Sequence, residues 1–139
     1  LWGSDDGNTV LAAIAPTGGH LMMAHASEDA NAACAILELR HRGHRIVFTG
    51  DSVIDQWRDV YRLRGGTPMK CRVLTMPHHG GLMGGTASDF NWFCTTATDA
   101  DVVVLSVATA NQHRHPREEV VQAFASRGCH VMCTQITSK

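Results

Sequence analysis

The sequence predicts an α/β domain in which strands and helices form layers. Three observations carry that expectation. Residues 101–107, DVVVLSV, are apolar through their middle, as in a central strand covered on both faces. Val53, Ile54, Trp57, Val60 and Tyr61 recur at helical spacing between two strand-like runs. Two further helical stretches separate the later strand-like runs, so helix and strand alternate through the second half of the chain.

Taken in order, TVLAAIA at 9–15 reads as a buried strand, ended by Pro16-Thr17-Gly18-Gly19. Residues 17–30 read as a mobile loop that contains His20 and His25. ACAILEL (33–39) and HRIVFTG (44–50) are strands, and the Arg40-His41-Arg42-Gly43 turn between them is short enough for a hairpin. The amphipathic helix follows from about 52 to 63, with Gly65-Gly66 as its stop. CRVLTM (71–76) is a strong strand leading into Pro77 and the His78-His79-Gly80 loop. Thr86 or Ser88 then caps a helix with Phe90, Phe93, Cys94 and Ala97 on one face. After DVVVLSV, NQHRHP is a loop, and Pro116 suits the first turn of a helix reaching about Arg127. Val120, Val121 and Phe124 point inward, and CHVMCT (129–134) is the last strand.

A length of 139 residues suits one domain with a real core. No window approaches 18 uninterrupted apolar residues, so no membrane segment is expected, and no basic-then-apolar leader is present. The chain opens LWGSDDG without a methionine, which suggests a fragment or a processed piece. A formal charge of -1 argues against a large electrostatic footprint on nucleic acid. It leaves room for a small phosphate-bearing substrate held by a few arginines. Five cysteines without a CxxC pair read as buried free thiols, which favours a reducing compartment such as the cytoplasm. Met22, Met23 and Met132 read as core filling, and Arg40, Arg42 and Arg45 as a solvated face.

Chemistry is expected where strands end. In layered α/β domains polar site groups gather on loops past the carboxyl ends of strands. Three such loops carry Gly50-Asp51, His78-His79-Gly80 and Asn111 to His115. One carboxylate and up to four imidazoles would meet there. A carboxylate can bridge two cations while neutral imidazoles complete their coordination, and cations so held acidify a shared water. Each residue also has a plainer reading. Asp51 could cap a helix beginning at Ser52, His78 and His79 could be a solvated turn, and His113 and His115 could be surface residues. His20, His25, His41, His44 and His130 read as surface or strand-edge histidines.

NAACAILELRHRGHRIVFTGD, CRVLTMPHHGG, DVVVLSV and NQHRHPREEV together resemble the carboxyl-terminal half of metallo-β-lactamase-fold hydrolases of the competence-protein ComEC/Rec2 type. The resemblance spans about residues 9–134. Its most specific part is the FTGD and PHHGG pair, with Asp51 and His78 separated by 27 positions, followed by a histidine-proline that opens a helix. It implies half of a four-layer αβ/βα sandwich, with residues 1–139 as one domain that is the carboxyl-terminal portion of the whole. It further implies two divalent metal ions in the complete domain, zinc or else manganese, and a role in DNA uptake. Asp51 matches the bridging carboxylate, and one of His78 and His79 the late histidine ligand. His115 matches a histidine placed to touch substrate or donate a proton, and Asn31 lies where many relatives carry another histidine. The family's His-x-His-x-Asp-His signature is absent, and its usual serine or threonine after HHG is Gly81. The missing amino-terminal half would supply most ligands, so this piece alone is expected to bind metal weakly.

Three functions compete. The first is a metal-dependent hydrolase of phosphodiester, nucleotide or nucleic-acid substrates, with catalysis by Asp51 and His115 and metal held by Asp51, His78 and His79. The second is a Gly-Asp-Ser serine esterase, which IVFTGDSVIDQW evokes, using Ser52 and His115. Such enzymes carry an Asp three residues before that histidine, where this chain has Gln112. The third is a non-catalytic remnant or interaction module, a fold-half that docks onto a partner or onto its own missing amino half, which an exposed apolar edge where the other sheet should pack would favour.

Overall fold

The computed structural model describes residues 1–108 and 113–134. Asn111 and Gln112, which the site and esterase readings invoke, lie outside the described residues. Seven strands form one mixed sheet, in the order in which they occur along the chain. They are β1 (Trp2–Gly3), β2 (Thr9–Ala15), β3 (Ile36–His41), β4 (His44–Phe48), β5 (Met69–Thr75), β6 (Thr98–Leu105) and β7 (His130–Cys133). The first four pair antiparallel, and β4 to β7 run parallel. The α/β expectation therefore holds.

The helices are α1 (Gly18–Ser27), α2 (Ile54–Leu63), α3 (Ala87–Trp92) and α4 (Glu118–Ala125). A sheet that grows in one direction through right-handed crossovers places α2, α3 and α4 on one side. Their inward faces share a single core with Ile36, Val47, Leu74, Val103 and Leu105 of the strands. Trp57 of α2 meets Phe93 edge-on at 4.9 Å, and Phe93 meets Phe124 of α4 at 6.3 Å. No helix among the described residues is long and apolar enough to cross a membrane.

The other side of the sheet has no such cover among the described residues. Directly paired residues share a face, so Trp2, Leu11, Leu39, Ile46, Val73 and Val102 make one apolar row across six strands. None of these six is buried. Leu37 pairs with Phe48 beside this row, and Phe48 is 40% exposed.

Several local expectations need correction. Residues 18–27 are helical where a loop was expected. The Thr17 hydroxyl accepts the His20 amide at 3.3 Å, and the His20 ring takes the Thr17 amide at 3.0 Å, so the helix is capped from both directions. His20 is buried, not on the surface, because its other ring nitrogen reaches Asp59 of α2 at 2.8 Å. Met22, Met23 and Met132 are exposed rather than core filling. The strand expected at 33–39 begins at Ile36, after a 3-10 turn over Ala30–Ala33. The last helix begins at Glu118, two residues beyond Pro116. None of the five cysteines forms a disulfide; Cys71 and Cys94 are buried, whereas Cys34 and Cys129 are half-buried and Cys133 is exposed.

Candidate functional site

The carboxyl ends of β4, β5 and β6 lie side by side, so the three suspect loops start as neighbours. Two threonines bind the first pair together. The Thr49 amide donates to the Thr75 hydroxyl at 2.9 Å, and the Thr49 hydroxyl donates to the Thr75 carbonyl at 2.8 Å. Beyond them the His78 amide donates to the Gly50 carbonyl at 3.0 Å. The Asp51 turn and the histidine loop are thus joined by backbone before any side chain is considered.

His78 and His79 both adopt left-handed backbone, with φ of 49° and 55°. That conformation is costly for residues other than glycine and persists only where surroundings enforce it. Its consequence is that the two imidazoles part. His79 turns to Asp51, with Nε2 at 3.3 Å from Oδ1. Its Nδ1 lies 2.6 Å from the Ser106 carbonyl oxygen. His78 turns to His115, with ring centroids 5.7 Å apart, and His115 in turn stacks on His113 at 5.8 Å. The buried Nδ1 of His78 has no hydrogen-bond partner among the described residues.

Glycines make this packing possible. A Cβ on Gly81 would lie 2.6 Å from Cδ2 of His78 and 2.9 Å from Cε1 of His115. Gly80 has a φ of +89°, and its Cβ would meet Pro116 at 2.8 Å. The Arg117 amide donates to the Gly80 carbonyl at 3.2 Å, which ties the start of α4 to the histidine loop.

A cavity of about 410 Å³ opens beside these rings, lined by His79, Ser106, Val107, Ala108, His113 and His115. Its size suits a small ligand. Burial, more than the neighbouring His78 and His113 charges, lowers the pKa of His115 below its usual value.

Asp51 does not cap α2. The helix starts at Ile54, and the Val53 amide is taken by the Gln56 side chain at 3.0 Å. Ser52 is fully buried and accepts the Trp57 indole N–H at 3.0 Å. Asn31 sits in the 3-10 turn, where its amide donates to Asp29. His41 meets the Thr9 hydroxyl at 2.8 Å, and the exposed His25, His44 and His130 lie outside this cluster.

Two participants, Cys34 and Gln56, were missed by the sequence reading. The Cys34 thiol accepts the Asp51 amide at 3.1 Å, and a Cβ on Gly50 would lie 2.5 Å from that sulfur. Gln56 donates to the Cys34 carbonyl at 2.8 Å and so ties this segment to α2. A glutamine among Ile54, Trp57 and Val60 on a buried helix face was the one available clue.

Among the described residues no group of three or more His, Cys, Asp or Glu side chains is arranged to hold a metal ion. No protein-family model matches the chain, and no curated protein matches it.

Proposed function

We propose that this chain is the carboxyl-terminal portion of a metal-dependent hydrolase with the metallo-β-lactamase fold, similar to the ComEC/Rec2 type and acting on phosphodiesters. The observation that carries the reading is the Asp51–His79 contact. A ring that donates from Nδ1 to the Ser106 carbonyl presents the lone pair of Nε2 when neutral. That lone pair faces a carboxylate oxygen 3.3 Å away, an arrangement favourable only with positive charge on the ring or between the two atoms. Two ligand atoms, each about 2.0–2.1 Å from a tetrahedral ion, stand about 3.3 Å apart.

Asp51 and His79 therefore suit a divalent ion, zinc or manganese. A bound cation of this kind would supply acidification of a water near neutral pH. The remaining ligands would come from outside the described residues. The bare apolar row on the sheet supports this, since it offers a surface on which a second sheet could pack. His115, largely neutral near pH 7 because its pKa is lowered, would accept a proton from the attacking water and return it to the leaving group. The cavity beside it would hold the substrate's phosphodiester.

The incomplete donor set equally favours a second reading, a non-catalytic module that docks through its open face. The serine-esterase reading has less support, because the Ser52 hydroxyl is buried and already bonded to Trp57. Metal titration of the chain, with chelator-sensitive cleavage of bis(p-nitrophenyl) phosphate by the complete gene product, tests the choice. Zinc binding that falls in both Asp51→Asn and His79→Gln supports the hydrolase. Binding unchanged in either variant refutes it, and binding without phosphodiester cleavage favours the module.

A further inference from the structure

A second cleft, of about 620 Å³, lies at the opposite ends of the strands, between the Arg42-Gly43 turn and the starts of β5 and β6. Seven residues of β5 at about 3.3 Å each put it on the order of 20 Å from Asp51 and His79. Five cations line it: Arg40, Arg42, Arg45, Lys70 and Arg72. The whole chain has 12 lysines and arginines and a net charge of -1, so this gathering runs against its average.

The cations are arranged by a buried acid. The Glu38 carboxylate, with its side chain 6% exposed, pairs with Nε of Arg40 at 3.4 Å and with Nε of Arg45. Both guanidinium groups are held through Nε, which leaves terminal N–H groups for a ligand. One of those on Arg45 donates to the Lys70 carbonyl at 2.6 Å and fixes the fork further. Lys70 and Arg72 pair with Asp99 at 3.9 Å and Asp101 at 2.9 Å, and all four side chains are more than half exposed. Exposed pairs of this kind exchange readily for a stronger anion. The Arg42 amide donates to the Asn8 carbonyl at 3.0 Å, while its guanidinium, at the hairpin tip, has no ion pair or hydrogen bond among the described residues. After Glu38, Asp99 and Asp101 are counted, the cleft keeps an excess of two positive charges.

We infer that this cleft is a binding site for a chain of two or more phosphoryl groups, as found in a nucleoside di- or triphosphate or in inorganic polyphosphate. A compact ligand fits better than a nucleic-acid strand, because Asp99 and Asp101 bound the basic area and the rest of the chain is acidic on balance. The site is independent of the proposed metal centre.

Calorimetric titration of the chain with tripolyphosphate, ATP and an oligothymidylate tests this inference. Arg42→Gln with Arg72→Gln is the test variant, since both residues are exposed and neither holds Glu38. Arg58→Gln, on α2 and paired with Asp55 and Asp89, is the control. The inference expects saturable tripolyphosphate binding that weakens with salt, falls about tenfold or more in the double variant and is unchanged in the control. ATP bound as tightly as tripolyphosphate would mean that the phosphates alone are read, and ATP bound more tightly would add a nucleoside contact. Three results overturn it: no saturable binding of either compound at about millimolar concentration, equal loss in the control, or tighter binding of the oligothymidylate than of both.

Discussion

Gly81 and His78 are packed so closely that a methyl group on residue 81 would fall 2.6 Å from the imidazole Cδ2. The His115 ring closes the other side of the same space, at 2.9 Å. Gly81→Ala must therefore displace one ring or the loop. Overpacking of this kind costs about 1–3 kcal/mol. Urea denaturation checks the loss, and changed His78 and His115 ring resonances check its location. A variant as stable as the parent, with unmoved resonances, would show that the loop is looser than this geometry.

The divergence of the two adjacent imidazoles makes a second expectation specific. Under the metal reading, His79→Gln weakens zinc binding by at least as much as loss of an outer-shell partner, about 10–100-fold. His78→Gln produces a smaller change, because that ring faces His115 rather than Asp51. Equal effects from both, measured by competition with a chromophoric chelator, would show that the rings exchange places.

His115 gives a pH dependence with a definite sign. Its folded pKa is lowered from an ordinary value near 6.5, mainly by burial, so the unfolded chain binds this proton more readily. Its titration contributes nothing to stability well above pH 6.5. Stability then falls as the pH drops from 6.5 through the lower folded value. His115→Asn removes that dependence and flattens the acid limb of stability against pH. Proton NMR titration of the parent checks the direction, and a His115 midpoint above 6.5 would reverse the argument.

The bare sheet face predicts a solution property. Phe48 and Met132 are 40% and 58% exposed, and both stand on apolar strands. The chain should bind a hydrophobic dye such as ANS or self-associate. Phe48→Lys with Met132→Lys should reduce both, with stability changed by no more than about 1 kcal/mol because neither side chain is in the core. Dye fluorescence and sedimentation provide the readouts, and parent chains that stay monomeric and dark would indicate that this face is satisfied as it stands.

Much of the fold was legible because its signals are local. The β3–β4 hairpin, α2 and the apolar β6 announce themselves by short turns and by periods that need only neighbouring residues. α1 was not legible. It carries two glycines, and its methionines face outward, so no apolar stripe marks it. Its stability depends instead on Thr17 capping and on the distant Asp59. The two residues of β1 are too few for any period to show.

By itself the sequence determined the alternation of strands and helices, and that a carboxylate and several imidazoles follow strands that end together. Tertiary structure decided which imidazole meets Asp51, that Ser52 is covered by Trp57, and that arginines of one hairpin join Lys70 and Arg72 in a cleft. The reason is physical. Periodicity records how one segment is buried, whereas a contact between distant residues depends on strand register and on a few backbone angles, such as the left-handed pair at His78 and His79.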